Sequence, residues 1–509
     1  MDTEVKAIDT SKKYVSNKEF YMYCVGGAGQ GMIYAIMSSY ISDFYTNVMQ
    51  LPLIFVLLLM LLARVWDAVN DPMMGMLVDR TTTKWGKMKP YILWAVVPIA
   101  VLSFLMFYIP DGFSKNQLMI YAGIVYVLWG MVYTIADVPF WSLPNVMTPN
   151  PDERGKVISV GKTVNGVGSA LPMLIFAVLG FVVPKLLPNA STVEQDKYKY
   201  ILIAVIASVL GGLLYASSYF FVKERVNIPN KPRRDKSEPS TLKRILKCKP
   251  LMLVVIMGIL SSGRYLVQAA SVHVARYGLY VGPEITPDMS PAEKAELIQN
   301  SISTVSSVLM VCAAVGMFGS MLVMPFLYKK FNYKKIIIFT CILGFAASVC
   351  TTIIGVVVDT RYALYACIPF IILSCVPLGA LNVTSSAMIG DCLDYMEWET
   401  GHRDNALGAA CQSFVNKLGN AVATTGIILM YMVINLDPAS MYAKDAVISA
   451  LDLAPNMRFA MFSLVSIVPG VSMLICAIPM FFYDLVGKKK DKITKELAKK
   501  RQKAGVTID

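Results

Sequence analysis

Asp67, Asn70 and Asp71 stand in the stretch Arg64-Val-Trp-Asp-Ala-Val-Asn-Asp-Pro-Met-Met-Gly75, directly after the apolar run Leu51–Ala63. In a helix, residues four apart share one face and sit about 6 Å apart along the axis, so two carboxylates and an amide converge. At membrane depth such groups cost several kcal/mol and mark ion or substrate pathways. Two acids this close in a low-dielectric setting must share a proton or hold a cation between them. A hard monovalent cation liganded by oxygens suits the set. The plainer reading is an ion pair of Asp67 with Arg64, one turn earlier, but one arginine does not neutralise two acids.

A second constellation follows in Thr134-Ile-Ala-Asp137-Val-Pro139-Phe-Trp141-Ser-Leu-Pro144. Thr134 and Asp137 are three apart and share a face. Asp137 with Trp141, one turn further on, sets a hydroxyl acceptor beside an aromatic platform, which suits the polar rim and C–H face of a sugar. A capping Asp and an interfacial Trp would be the bland alternative. Lys162 and Lys417 are lone lysines inside later apolar spans, where each must face a cavity or pair with an acid such as Asp137. Gln412 and Ser413, about one turn before Lys417, can donate or accept across the same space. Asp391, Asp394, Glu397 and Glu399, with Arg403 just after, read as ion pairs closing an inner gate, or equally as a solvated helix end. Arg154, in a basic turn of the first half, is placed with that gating set.

These side chains need membrane helices to position them. The chain is 56% hydrophobic and only 16% charged, with a mean hydropathy of +0.55, far more apolar than a soluble chain. About twelve spans can be drawn: near 20–45, 51–78, 91–109, 117–147, 156–183 and 200–222, then 250–277, 301–328, 336–357, 363–395, 406–435 and 456–483. The net charge of +13 sits in short Lys/Arg clusters in alternate loops, the positive-inside pattern, so both termini are expected on the cytoplasmic side and no nucleic-acid partner is implied. The first nineteen residues lack an apolar core, so no cleaved signal peptide is expected. Ten cysteines are scattered mainly through apolar runs without metal or redox spacing.

Residues 1–222 and 250–483 thus form two six-span halves, joined by a polar basic linker, 223–249, and followed by a basic tail, 484–509. The tail is expected beside anionic headgroups of membrane lipid. Lys162 and Lys417, on the fifth and eleventh spans, correspond between halves, the plan of transporters built from repeats. In the outer loop, Ser290-Pro-Ala-Glu293 is a capping box that predicts a short surface helix. Gly155-Lys-Val-Ile-Ser-Val-Gly161-Lys-Thr163 imitates a phosphate-binding loop, but its glycines are one residue too far apart and it opens a span. Nothing supports an enzyme.

Arg64–Gly75, Lys84-Trp-Gly-Lys-Met-Lys-Pro90, Asp137-Val-Pro-Phe-Trp-Ser-Leu143 and Asp391-Cys-Leu-Asp-Tyr-Met-Glu-Trp-Glu-Thr-Gly401 together resemble the signature of the glycoside–pentoside–hexuronide:cation symporters, over nearly the whole chain. The resemblance implies an all-α membrane protein of the major facilitator fold, a monomer in the cytoplasmic membrane, with no cofactor beyond a coupling cation. That cation, Na+ with Li+ or H+ as alternatives, would be held by Asp67, Asn70, Asp71 and Thr134. The sugar would be held by Asp137, Trp141, Lys162, Gln412, Ser413 and Lys417.

Two positions depart from the melibiose-type pattern. Gln30-Gly31 stand where Lys-Asp is found in the first helix, and Lys162 replaces an arginine, a point charge for a bidentate fork. Losing an acid while keeping a cation makes the pocket more tolerant of an anionic sugar, so a hexuronide or another glycoside fits as well as a galactoside. Carriage of another cargo, such as an amphipathic lipid, stays open. A sugar sensor that does not transport would need an output domain, for which linker and tail are too small.

Overall fold

A computed structural model describes residues 13–80, 83, 85–148, 150–225, 247–286, 288–328, 330–358, 360–400, 405–436 and 450–503. Every regular element among them is a helix: α1 Asn17–Asp43, α2 Leu53–Arg80, α3 Lys89–Met106, α4 Lys115–Ser142, α5 Pro144–Met147, α6 Pro151–Leu186, α7 Thr192–Phe221, α8 Lys249–Leu260, α9 Leu266–Ala269, α10 Ser271–Tyr277, α11 Pro291–Tyr328, α12 Tyr333–Val357, α13 Thr360–Ser374, α14 Val376–Thr400, α15 Asn405–Val433, α16 Pro455–Ser463, α17 Ile467–Phe481 and α18 Lys488–Lys503. Eight helical runs are long and apolar enough to cross a bilayer, and α16 with α17, bent by 40°, makes a ninth. Helices α1, α2 and α15 have 27, 28 and 29 residues, about 40 Å each, which also suffices.

Local chemistry sets where these helices begin. Ser16 with Glu19, Ser114 with Gln117 and Ser191 with Glu194 form reciprocal capping boxes at α1, α4 and α7, each satisfying backbone N–H groups that a helix start leaves unpaired. Ser290 and Glu293 do the same at α11, with Glu293 Oε2 accepting from Ser290 N at 2.8 Å. The box is as expected, but no separate surface helix forms. No proline interrupts the ladder between Pro291 and Pro325 near its far end, so one 38-residue helix runs from the loop through the span. The seventh span, expected as one helix, is instead interrupted by a 3₁₀ turn at Ser261–Tyr265.

By contact the chain divides into two units, residues 1–51, 62–179 and 189–234, and residues 52–61, 180–188 and 235–509. In the first, α1 packs on α6 and α7 through a glycine face. A Cβ on Gly29 would stand 2.3 Å from Gly211 O, and one on Gly31 would stand 2.2 Å from Asn165 O. Backbones meet there as they do at small-residue membrane interfaces. At the end of α1, the fully buried Asp43 accepts from Asn47 Nδ2 at 2.7 Å and from the Tyr200 hydroxyl. The second unit buries an apolar core that includes Leu309, Ile371, Ile427 and Val465.

Gly31→Ala should therefore lower the thermal midpoint, since the clash is with backbone and costs roughly 1–3 kcal/mol. Gly75→Ala, where a Cβ meets nothing within 4 Å, should hold or raise the midpoint, gaining up to about 1 kcal/mol of helix propensity. Thermal unfolding of both variants in one detergent checks this contrast; equal midpoints would contradict the helix contact at Gly31.

Candidate functional site: a cation set and a polar cargo face on one helix

Within the first unit, α2 lies against α4 in matched register. Thr134 Oγ1 donates to Asp71 Oδ1 at 3.1 Å. One turn earlier on each helix, Asp67 Oδ1 lies 3.6 Å from where a Cβ on Gly130 would be. The missing side chain at Gly130 lets the first acid reach α4, and the hydroxyl at Thr134 receives the second. Asn70 Nδ2 is buried and makes no hydrogen bond, although a buried amide ordinarily finds a partner. Two carboxylates, an amide and a hydroxyl are the hard oxygen donors that suit an alkali cation.

Asp137, three residues beyond Thr134, is 8% exposed and sits in a polar network. Gln30 Nε2 donates to its Oδ1 at 2.6 Å, and the Tyr133 hydroxyl reaches the same oxygen at 3.3 Å. Gln30 also donates to Tyr133 and accepts from Asn165, whose Nδ2 donates to Gly27 O at 2.8 Å. So the pair Gln30-Gly31 has two jobs: the amide orients Asp137, and the glycine permits the α1–α6 approach that brings Asn165 within reach. Tyr133 is stacked on Trp129 at 5.0 Å, and Trp129 is itself fixed by Nε1 donating to Ser103 at 2.8 Å. Trp141 is half-buried and meets Phe140 edge-on at 5.1 Å. Pro139, inside α4, offers no N–H to the Ile135 carbonyl and loosens the ladder between Asp137 and Trp141. Lys162 is exposed and lies one turn before Asn165 on α6.

In the second unit, Lys417 is half-buried on α15; Gln412 and Ser413 belong to that helix, but their side chains lie outside the described set. Beside Lys417, Asn416 Oδ1 accepts from the Tyr265 hydroxyl at 3.3 Å and from Arg264 Nη2 at 3.5 Å. Neither Arg264 nor Asn416 figured in the sequence reading. Arg264 could have been found by the criterion that singled out Lys162 and Lys417, an ionisable side chain inside an apolar span. Tyr133 and Asn165 carry no such signal, because Tyr and Asn are ordinary at helix surfaces.

The expected gating acids behave differently. Asp391 Oδ2 accepts from Lys490 Nζ at 2.6 Å, Trp398 Nε1 donates to Glu496 at 2.7 Å, and Lys490 stands over the Tyr333 ring at 4.7 Å. The tail is therefore a helix, α18, docked on the end of α14 with Ile493 and Leu497 buried. Its apolar stripe is what the count of lysines concealed. Asp394 and Glu397 are half-buried on α14, Arg154 is half-buried on α6, and Arg403 lies outside the described residues. In the first unit, Glu224 accepts from the backbone N–H of Lys87, Met88 and Lys89 at 2.8–3.0 Å. Arg225 holds Glu19 through two contacts of 2.8 Å. The start of the linker is thus built into the first unit.

The model of one family, described as MFS/sugar transport protein, matches residues 22–277 and 303–487. The uncharacterized symporter YjmB of Bacillus subtilis (strain 168) is 27% identical, over 82% of this chain and 84% of its own. The isoprimeverose transporter of Lactiplantibacillus pentosus is 23% identical over 98% and 95%. Among solved structures, the inward open xylose transporter XylE from E. coli superposes with a TM-score of 0.56 at 12% identity, covering 94% of this chain and 98% of that one. That likeness establishes the fold: twelve helices in the major facilitator arrangement. The symporter resemblance and the absence of an enzyme assignment both stand.

The Asp391–Lys490 contact is testable by a double-mutant cycle with Asp391→Asn and Lys490→Gln. A partly buried, charge-assisted bond should give a coupling of roughly 1–2 kcal/mol in thermal unfolding. Additive effects would mean that α18 does not dock there.

Proposed function

Since the chain belongs to the MFS/sugar transport protein family, and is a multi-pass membrane transporter, we propose that it carries a sugar or glycoside into the cell together with a monovalent cation, sodium before lithium or proton. The observation that carries this reading is the Thr134–Asp71 bond of 3.1 Å, with Asp67 against Gly130 one turn away. Both acids of α2 meet the helix that presents Asp137 and Trp141. A cation among Asp67, Asn70, Asp71 and Thr134 relieves the repulsion of the two carboxylates and draws α2 onto α4. With α4 so held, Asp137 is in place to accept cargo hydroxyls, and Trp141 offers its ring to the C–H face. Gln30 and Asn165 keep the Asp137 carboxylate from rotating.

Cargo and cation then stabilise the same position of α4, so each raises the affinity for the other by one common factor, typically 5- to 150-fold. Lys162, Lys417, Gln412 and Ser413 complete the cargo contacts in this proposal. Asp391, Asp394, Glu397, Arg154 and Arg403 serve the closure of the inner side. The termini face the cytoplasm, and the cation set together with Asp137 belongs to a single chain, so a monomer suffices.

Asp67→Cys and Asp71→Cys are each expected to abolish sodium-stimulated uptake in vesicles while leaving sugar exchange partly intact. Thr134→Ala, which removes one ligand oxygen, should raise the sodium concentration for half-maximal uptake about tenfold. Undiminished sodium stimulation in all three would overturn the cation assignment. Thermal midpoints of the purified protein against sugars, sugar acids and glycosides, with and without sodium, test the cargo. Stabilisation by amphipathic lipids and by no sugar under any cation would overturn the sugar reading.

A further inference from the structure

Arg264 is 3% exposed in the middle of the seventh span, at the 3₁₀ turn that interrupts it. Its Nη2 donates to the Tyr265 hydroxyl at 2.8 Å and reaches Asn416 Oδ1 at 3.5 Å. Its Nε and Nη1 are buried and have no hydrogen-bond partner. The guanidinium lies over the Tyr265 ring, 4.8 Å from its centroid, which fixes its plane without cancelling its charge. A guanidinium keeps its proton in proteins, so the charge cannot be shed as a buried lysine would shed its own.

Among the described residues no acid forms an ion pair with Arg264. The membrane helices of the second half, 249–277, 301–328, 333–357, 360–390, 405–433 and 455–481, contain no Asp or Glu. They do contain further cations, among them Lys417, next in sequence to Asn416. Removing an unpaired charge from water is expensive, and an ionisable residue kept at membrane depth marks a function by default. A local 3₁₀ segment in a longer helix marks a hinge or working site in the same way.

We propose that Arg264, positioned by Tyr265 and Asn416, is an anion-binding site that takes the oxyanion group of an acidic cargo. The inference rests on the sugar-transport reading and narrows it: the cargo is polyhydroxylated at one end and bears a carboxylate, sulfonate or phosphate at the other. Arg264 serves the charged group. A buried cation with two unpaired nitrogens selects for charge first. A planar carboxylate can accept two parallel bonds from a guanidinium.

The test uses the purified full-length protein with sodium present and four probes: methyl β-D-glucoside, methyl β-D-glucuronide, glucose 6-phosphate and 2,3-dihydroxypropane-1-sulfonate. Wild-type protein should bind at least one acidic probe ten times or more tighter than the neutral glucoside, and the probe that does so identifies the oxyanion. In Arg264→Gln the ratio of acidic to neutral affinity should fall by about thirtyfold or more, as when one partner of a buried charge pair is removed. Arg264→Lys should recover part of it. The ligand-free midpoint of Arg264→Met should stay or rise, because an unanswered buried charge is removed; a merely structural arginine would make it fall. An unchanged affinity ratio in Arg264→Gln overturns the proposal. Should the variants fail to fold, wild-type protein that binds glucoside as tightly as every acidic probe overturns it alone. Sodium-enhanced binding of glucoside without any acidic probe leaves sugar symport standing and removes the anion site. No binding by any probe, and none in the wider sugar panel, removes both.

Discussion

A carboxylate inside a bilayer must be answered by a cation, a proton or a donor, and the first unit of this chain is arranged around those answers. Asp71 receives the Thr134 hydroxyl, Asp67 reaches α4 where Gly130 has no side chain, and Asp137 receives Gln30 and Tyr133. All three acids bear on α4. In the proposed function that helix is the common support of the cation set and the cargo face, and Thr134 and Asp137, one turn apart, cannot move independently within an intact helix. Coupling in this picture needs no relay of side chains. It needs only that α2, drawn by a cation, sets the position of α4.

The second unit poses the converse problem. Its membrane-depth segments 249–277, 301–328, 333–357 and 360–390 carry arginine and lysine and no acid, and Arg264 is left with two unpaired nitrogens. In the proposed reading, that charge suits an acidic cargo better than one with a uniform rim of hydroxyls.

Segments outside the spans take part in the fold through a few directed bonds. Glu224 caps α3 from across 135 residues of chain, placing negative charge at a helix N-terminus where the backbone dipole favours it. Arg225 pins Glu19, and α18 brings Lys490 to Asp391 and Glu496 to Trp398. Residues 224 and 225 and α18 are thus attached to helix ends within their own units.

The sequence by itself determined what depends on near neighbours. Apolar runs of span length, the shared face of Asp67, Asn70 and Asp71, the shared face of Thr134 and Asp137, and the capping boxes at Ser16, Ser114, Ser191 and Ser290 all follow from a helical period of 3.6 residues and from hydrogen bonds that close within one turn. Tertiary structure decided which of those faces meet. That Gln30 would hold Asp137, that Gly31 would bring Asn165 to Gln30, that Glu224 would cap α3 and that the lysine-rich tail would dock depend on contacts between residues about a hundred or more positions apart. Helix period carries no information about such registers; they come from how closely glycine faces let backbones approach and from which buried charges then find a donor. Arg264 falls between the two. Its place inside an apolar span was written in the sequence, but only the packing of α8, α15 and α17 around it left its charge unanswered.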